Sequence, residues 1–113
     1  MNKTMLISAA FLSFFIVNAS FSNDINMTNQ TKFPARFSVS YGSCNPDKDI
    51  EVRPGKTARV GAGWCLIREI SALVYKVPGG VPVTAKSFTS SGTGYRTFSI
   101  IENFDGSFAV IRP

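Results

Sequence analysis

At 113 residues, 44% of them hydrophobic and 17% charged, the chain has the size and balance of one small globular domain rather than a disordered polypeptide. It has two cysteines and no histidine, so it lacks the usual general acid/base at neutral pH and the ligand set of an ordinary zinc site. A formal net charge of +5 favours anionic surfaces, but the basic residues are spread evenly and not interleaved with aromatics, which argues against specific nucleic-acid recognition.

Lys3, the apolar run over residues 5–17 and the following Asn18-Ala19-Ser20-Phe21-Ser22 read as a secretory signal peptide over 1–22, cleaved after Ala19 or Ser22. The run is shorter than the roughly 20 apolar residues that cross a bilayer, so no transmembrane segment is expected. Residues 23–113 then form a single exported domain, secreted or periplasmic. Taking Lys3 from the 12 Lys/Arg leaves 11 against 7 Asp/Glu, a mature charge of +4. In an oxidising compartment Cys44 and Cys65 read as a disulfide rather than as a metal site. A domain this small sits near the margin of stability, where such a brace matters.

Along the chain, residues 23–32 form a lead-in or a first edge strand through Ile25 and Met27, and carry two glycosylation acceptors for a eukaryotic host, Asn26-Met27-Thr28 and Asn29-Gln30-Thr31. Ala35, Phe37, Val39 and Tyr41 alternate with Arg36, Ser38 and Ser40 as a half-buried strand does. Gly42-Ser43-Cys44-Asn45-Pro46-Asp47 ends it. Asp47, Asp49 and Glu51 are the densest acidic group; beside Pro46 they read as the solvated face of a turn rather than as a glycosidase pair. Arg53-Pro54-Gly55-Lys56 predicts a tight turn of type II between two extended pieces.

Residues 65–77 are ambiguous. Leu66, Ile67, Ile70, Leu73, Val74 and Val77 make a helical stripe, while Leu66, Ile70, Ala72 and Val74 share a face at period two. Strand is favoured, because the neighbours are all β and no N-cap residue precedes the run; a bulge near Glu69 or Ser71 reconciles the faces. Val77-Pro78-Gly79-Gly80-Val81-Pro82 is a loop or an edge feature. Residues 97–104 and 107–111 read as a hairpin joined by Asp105-Gly106 in a type I′ turn. The sum is an all-β domain, a small antiparallel β-sandwich or barrel of six to eight strands with one disulfide.

Functional expectations follow from the residue inventory. Without histidine, a Ser-Lys pair is the only hydrolase arrangement left, and no spacing singles one out, so the chain reads as a non-enzyme that needs no cofactor or metal. It reads instead as a binding protein, with a secreted inhibitor or toxin-like factor, or a membrane- or glycan-binding module, as alternatives. Its partner is then a protein or an anionic surface such as a lipid headgroup or polysaccharide. Ser91, Gly92, Thr93, Tyr95 and Arg96 are the candidate binding residues, in a polar loop framed by aromatics; the competing reading packs Tyr95 at the core edge. Ser91-Gly92-Thr93-Gly94-Tyr95 resembles the Ser-Gly-x-x-Tyr loop of small periplasmic lysozyme inhibitors, and Tyr41-Gly42-Ser43-Cys44 resembles the Tyr-x-Cys start of that family. That resemblance implies a disulfide-braced β-barrel that inhibits an enzyme. The second cysteine departs from the pattern, and a basic chain is repelled by basic lysozyme. Trp64 and Tyr75 are candidates for an interface or a sugar, although a Trp beside the bridge reads first as core. An anionic ligand is expected if Arg36, Lys56, Arg59, Arg96 and Arg112 converge on one face.

Overall fold

A computed structural model describes residues 24–113; the predicted leader and its cleavage sites lie outside them. Nine strands follow in order: β1 (Asp24–Asn29), β2 (Ala35–Tyr41), β3 (Asp47–Val52), β4 (Thr57–Gly61), β5 (Ile67–Val74), β6 (Val83–Thr84), β7 (Phe88–Thr93), β8 (Thr97–Glu102) and β9 (Phe108–Ile111). They form two sheets packed as a sandwich. One has the order β4-β1-β8-β9; the other has the order β3-β2-β5, with β6 and β7 both pairing β5. The all-β fold and its single bridge are as the sequence implies.

Alternation does in β2 what it predicts: Ala35, Phe37 and Val39 point into the core. In β5 the pairing slips between Ile67 and Glu69: against β2, where Ser40 and Tyr41 are consecutive, Arg68 is the extra residue of a bulge, whereas against β7 the extra residues fall on β7 between Thr89 and Thr93. The bulge lets Ile67 and Ile70 both face inward and leaves Leu66 half-exposed. Within residues 65–77, Ile67–Val74 is therefore strand and no residue is helix. Turn residues 53–56 also behave as expected. Lys56 N–H donates to the Arg53 carbonyl at 3.1 Å, and Gly55 takes the positive φ of 73° that a type II turn requires. Because β3 and β4 belong to different sheets, this turn carries the chain from one layer to the other.

Three expectations change. Strand β1 is interior rather than an edge. It pairs antiparallel with β4 and parallel with β8, burying Ile25 and Met27 completely. The β8–β9 hairpin exists, but its turn is not type I′. Gly106 N–H donates to the Asn103 carbonyl at 3.0 Å, so Phe104 and Asp105 are the central residues, and Gly106 (φ 88°) follows them in the left-handed region. That is a type I turn closed by a glycine bulge, and it leaves Phe104 at the tip with its ring in solvent. Finally, Asp47, Asp49 and Glu51 lie in β3 and not in a turn; Asp49 sits at a bulge with φ 56°, a conformation Asp tolerates.

The core between the sheets is built on Phe37, Phe98, Phe108, Ile25, Ile67 and Ile100. Phe98 meets Phe88 at 4.9 Å and Tyr95 edge-on at 5.6 Å. One flank of the sandwich is stitched by backbone bonds, Lys86 N–H to the Phe108 carbonyl at 2.8 Å and Val110 N–H to the Lys86 carbonyl at 2.9 Å. Asn29 is a buried polar residue that no local pattern announces. Its Nδ2 donates to the carbonyls of Phe33 (2.7 Å) and Val52 (3.1 Å), and its Oδ1 accepts from the N–H and hydroxyl of Thr31. Both amide hydrogens of Asn29 are thus committed inside the fold.

Candidate functional site

The end of the sandwich where β2 finishes and β5 begins is held together by several independent ties. Cys44 and Cys65 are disulfide-bonded with their Cα atoms 6.1 Å apart. Cys65 N–H donates to the Ala62 carbonyl at 3.1 Å, closing a turn whose central residues are Gly63 and Trp64. From the neighbouring β7–β8 connection, Arg96 reaches back and donates through Nη2 to the carbonyls of Gly63 (3.1 Å) and Cys65 (3.0 Å). Gly42 N–H adds a bond to the Leu66 carbonyl at 3.1 Å. A turn with a covalent anchor, a guanidinium clamp and backbone bonds at both sides has little conformational freedom left.

What this rigid turn presents is apolar. Trp64 is 87% exposed and Leu66 51% exposed. The expectation that Trp64 packs in the core is therefore wrong. The turn that ends at Cys65 buries Ala62 and directs the next side chains outward, so the indole stands on the rim. Leu66 lies against the backbone of Gly92, where an added Cβ would come within 3.6 Å of its own Cβ. Charges of both signs surround this pair, with Glu69 exposed beside Arg68 and the Asp24 carboxylate next to Gly61. Arg68 is exposed on the β5 bulge, and Arg96 has a buried Nη1 with no hydrogen-bond partner. Arg112 stacks its guanidinium 3.9 Å over the Tyr95 ring. Nearby, Tyr41 donates its hydroxyl to Asp47 Oδ2 at 2.6 Å. Burial first, and the Asp47 hydrogen bond second, push the Tyr41 phenol well above its ordinary value, so it stays neutral.

The residues singled out from the sequence are close by, but mostly as its scaffold. Ser91, Gly92 and Thr93 belong to β7 and not to a loop. It is Ser90 whose hydroxyl bonds the Ile67 carbonyl at 2.7 Å, and Thr93 Oγ1 accepts the Tyr95 N–H at 3.1 Å. Tyr95 packs edge-on against Phe98 under Arg112, the core-edge placement, while Arg96 serves as the clamp. Ser91 is exposed. The five basic residues do not converge. Arg36 lies on the outer face of the second sheet and Arg59 on β4 of the first, with Lys56 in the turn before it, whereas Arg96 and Arg112 stand at the disulfide end. Among the described residues no group of three or more His, Cys, Asp or Glu is placed to hold a metal ion, and no helix is long and apolar enough to cross a membrane.

No protein-family model matches the chain, and neither the curated proteins nor the solved structures contain a match. The likeness to lysozyme inhibitors rests on residues 41–44 and 91–95, and the second of these segments is partly strand here rather than the loop that the likeness implies.

Proposed function

We propose that this protein is an exported, non-enzymatic binding module that docks a partner protein through Trp64 and Leu66 at its disulfide-pinned end. The observation that carries the reading is an indole held 87% exposed on a turn immobilised by the Cys44–Cys65 bridge and the Arg96 clamp. Trp and Arg are the residues that dominate binding energy in protein interfaces, and an anchor fixed in advance loses little entropy when it docks. Arg68, exposed at the β5 bulge, is the cation there that remains free to meet a carboxylate on the rim of the partner's apolar cleft.

Affinity capture with the mature oxidised domain tests this, run in parallel with Trp64→Ala and Phe104→Ala. Phe104 is a fitting control, since its ring is fully exposed but sits on the β8–β9 hairpin at the other end of β8 from Arg96. A partner bound by the wild type should lose about 2 kcal/mol or more, roughly 30-fold in affinity, on Trp64→Ala and nothing on Phe104→Ala. Equal capture by all three proteins would dismiss this surface.

A further inference from the structure

A second site stands on the outer face of the β3-β2-β5 sheet, at the start of β2 and so at the far end of the sheet from Trp64. Arg36 and Glu51 are cross-strand partners there, both exposed, with Leu73 next in the row across β5. Tyr75 N–H donates to the Pro34 carbonyl at 2.9 Å, extending the β5–β2 pairing by one residue, and beyond it Gly80 N–H closes a turn on the Val77 carbonyl at 2.9 Å that brings residues 78–80 beside this face. Between that segment and the sheet lies a groove of about 510 Å³, lined by Arg36 and Glu51, by Tyr75, and by Pro34 and Pro78. Gly80 lines it too, in a place where a side chain would press on Val77 at 3.1 Å.

From this arrangement we propose that the groove is a binding site for a neutral saccharide. The volume is that of a small-ligand site, but the lining joins charged and flat apolar groups instead of being mainly greasy. A guanidinium offers only donors and an ionised carboxylate only acceptors, so side by side they satisfy neighbouring hydroxyls, each of which both gives and takes a hydrogen bond. Tyr75 and the two prolines supply flat faces for the C–H side of a sugar ring. Charge balance selects against ions. Arg36 and Glu51 offset each other, and Lys32 and Lys76 stand over the Phe33 ring at 5.7 and 5.8 Å and do not line the groove.

The site is separate from the Trp64 end. Arg36 and Tyr41 lie at opposite ends of β2, about 17 Å apart at strand rise. Two-dimensional amide NMR of the mature oxidised protein, titrated with chitotetraose and with maltotetraose, tests the proposal. The expected result is a saturating shift confined to residues 35, 36, 51, 75–77, 79 and 80 with one of the sugars, in the millimolar range or tighter and insensitive to salt between about 50 and 500 mM. Tyr75→Ala and Glu51→Gln should each weaken it tenfold or more, Tyr75→Phe should retain it, and Trp64→Ala should leave it unchanged. No shift with either sugar would overturn the proposal. So would shifts centred on residues 62–66, or a response that salt abolishes.

Discussion

Replacing Asn29 with alanine is expected to destabilise the domain by about 2 kcal/mol. The side chain is fully buried and makes four hydrogen bonds. After truncation the Phe33 carbonyl still accepts from the Thr31 hydroxyl at 3.1 Å and Val52 keeps its ladder place opposite Ala35, so the Thr31 N–H is the buried group that loses its partner. Leaving a buried backbone group unsatisfied costs about 1–3 kcal/mol, about 2 kcal/mol at mid-range. A domain of this size is stable by about 5–13 kcal/mol, so the variant should stay folded at low temperature yet melt on the order of 10 °C lower. Asn29→Asp is nearly the same shape but turns an oxygen toward two carbonyls. Those carbonyls and burial raise its folded-state pKa. The stability it retains is greatest below the ordinary carboxylate range and is lost as pH rises through the folded value. Urea unfolding followed by far-UV circular dichroism is the assay, because the single tryptophan is exposed already in the native state and reports unfolding poorly. A loss below about 1 kcal/mol for Asn29→Ala would refute the buried network.

Two further outcomes are expected. The bridge closes a separation of 21 residues, for which the chain-entropy account gives about 3 kcal/mol, so a Cys44→Ser/Cys65→Ser protein should lose about that much in urea unfolding. It should also bind the captured partner more weakly at temperatures where it is folded; unchanged stability and binding together would show that the bridge braces nothing. Tyr41 is held neutral by burial and by Asp47, so its folded pKa lies above the unfolded value of 10.0. The stability it adds is complete below pH 10 and is lost as pH climbs toward the folded value, so the Tyr41→Phe protein should show a smaller alkaline loss of stability than the wild type. Parallel pH profiles for the two would contradict that assignment.

The strands were legible wherever a local pattern decides them. Ala35, Phe37 and Val39 declare a two-sided strand, and Pro54-Gly55 declares its turn, because each signal depends on neighbours in sequence. The misread parts depend on partners far away. Asp105-Gly106 serves equally as the centre of a type I′ turn or as the end of a type I turn with a glycine bulge, and the pairing of Glu102 with Phe108 decides for the second. Residues 88–93 have the Ser, Gly and Thr of a loop, but β5 offers them a strand to pair with, and Ser90 and Gly92 lie among the extra residues between Thr89 and Thr93. Nor could the sequence show that Asn29-Gln30-Thr31 folds inward, since its partners at Val52 and Lys56 arrive from a distant strand and turn. At the candidate site, Cys44 and Cys65 were legible as a bridge and Arg96 as a residue of interest. The outward turn of Trp64 depends on the bond from Cys65 to Ala62 and had no signal beyond Gly63 before it.

Because Trp64 is the only tryptophan, its fluorescence reports directly on the surface at the centre of this account. Acrylamide and iodide quenching should be measured on the mature oxidised protein, alone and then saturated with the partner that it captures. The account predicts an indole nearly as accessible to both quenchers as free tryptophan in the unbound protein, and shielded from both in the complex. A tryptophan already protected in the free protein, or one equally quenched with and without partner, would contradict it.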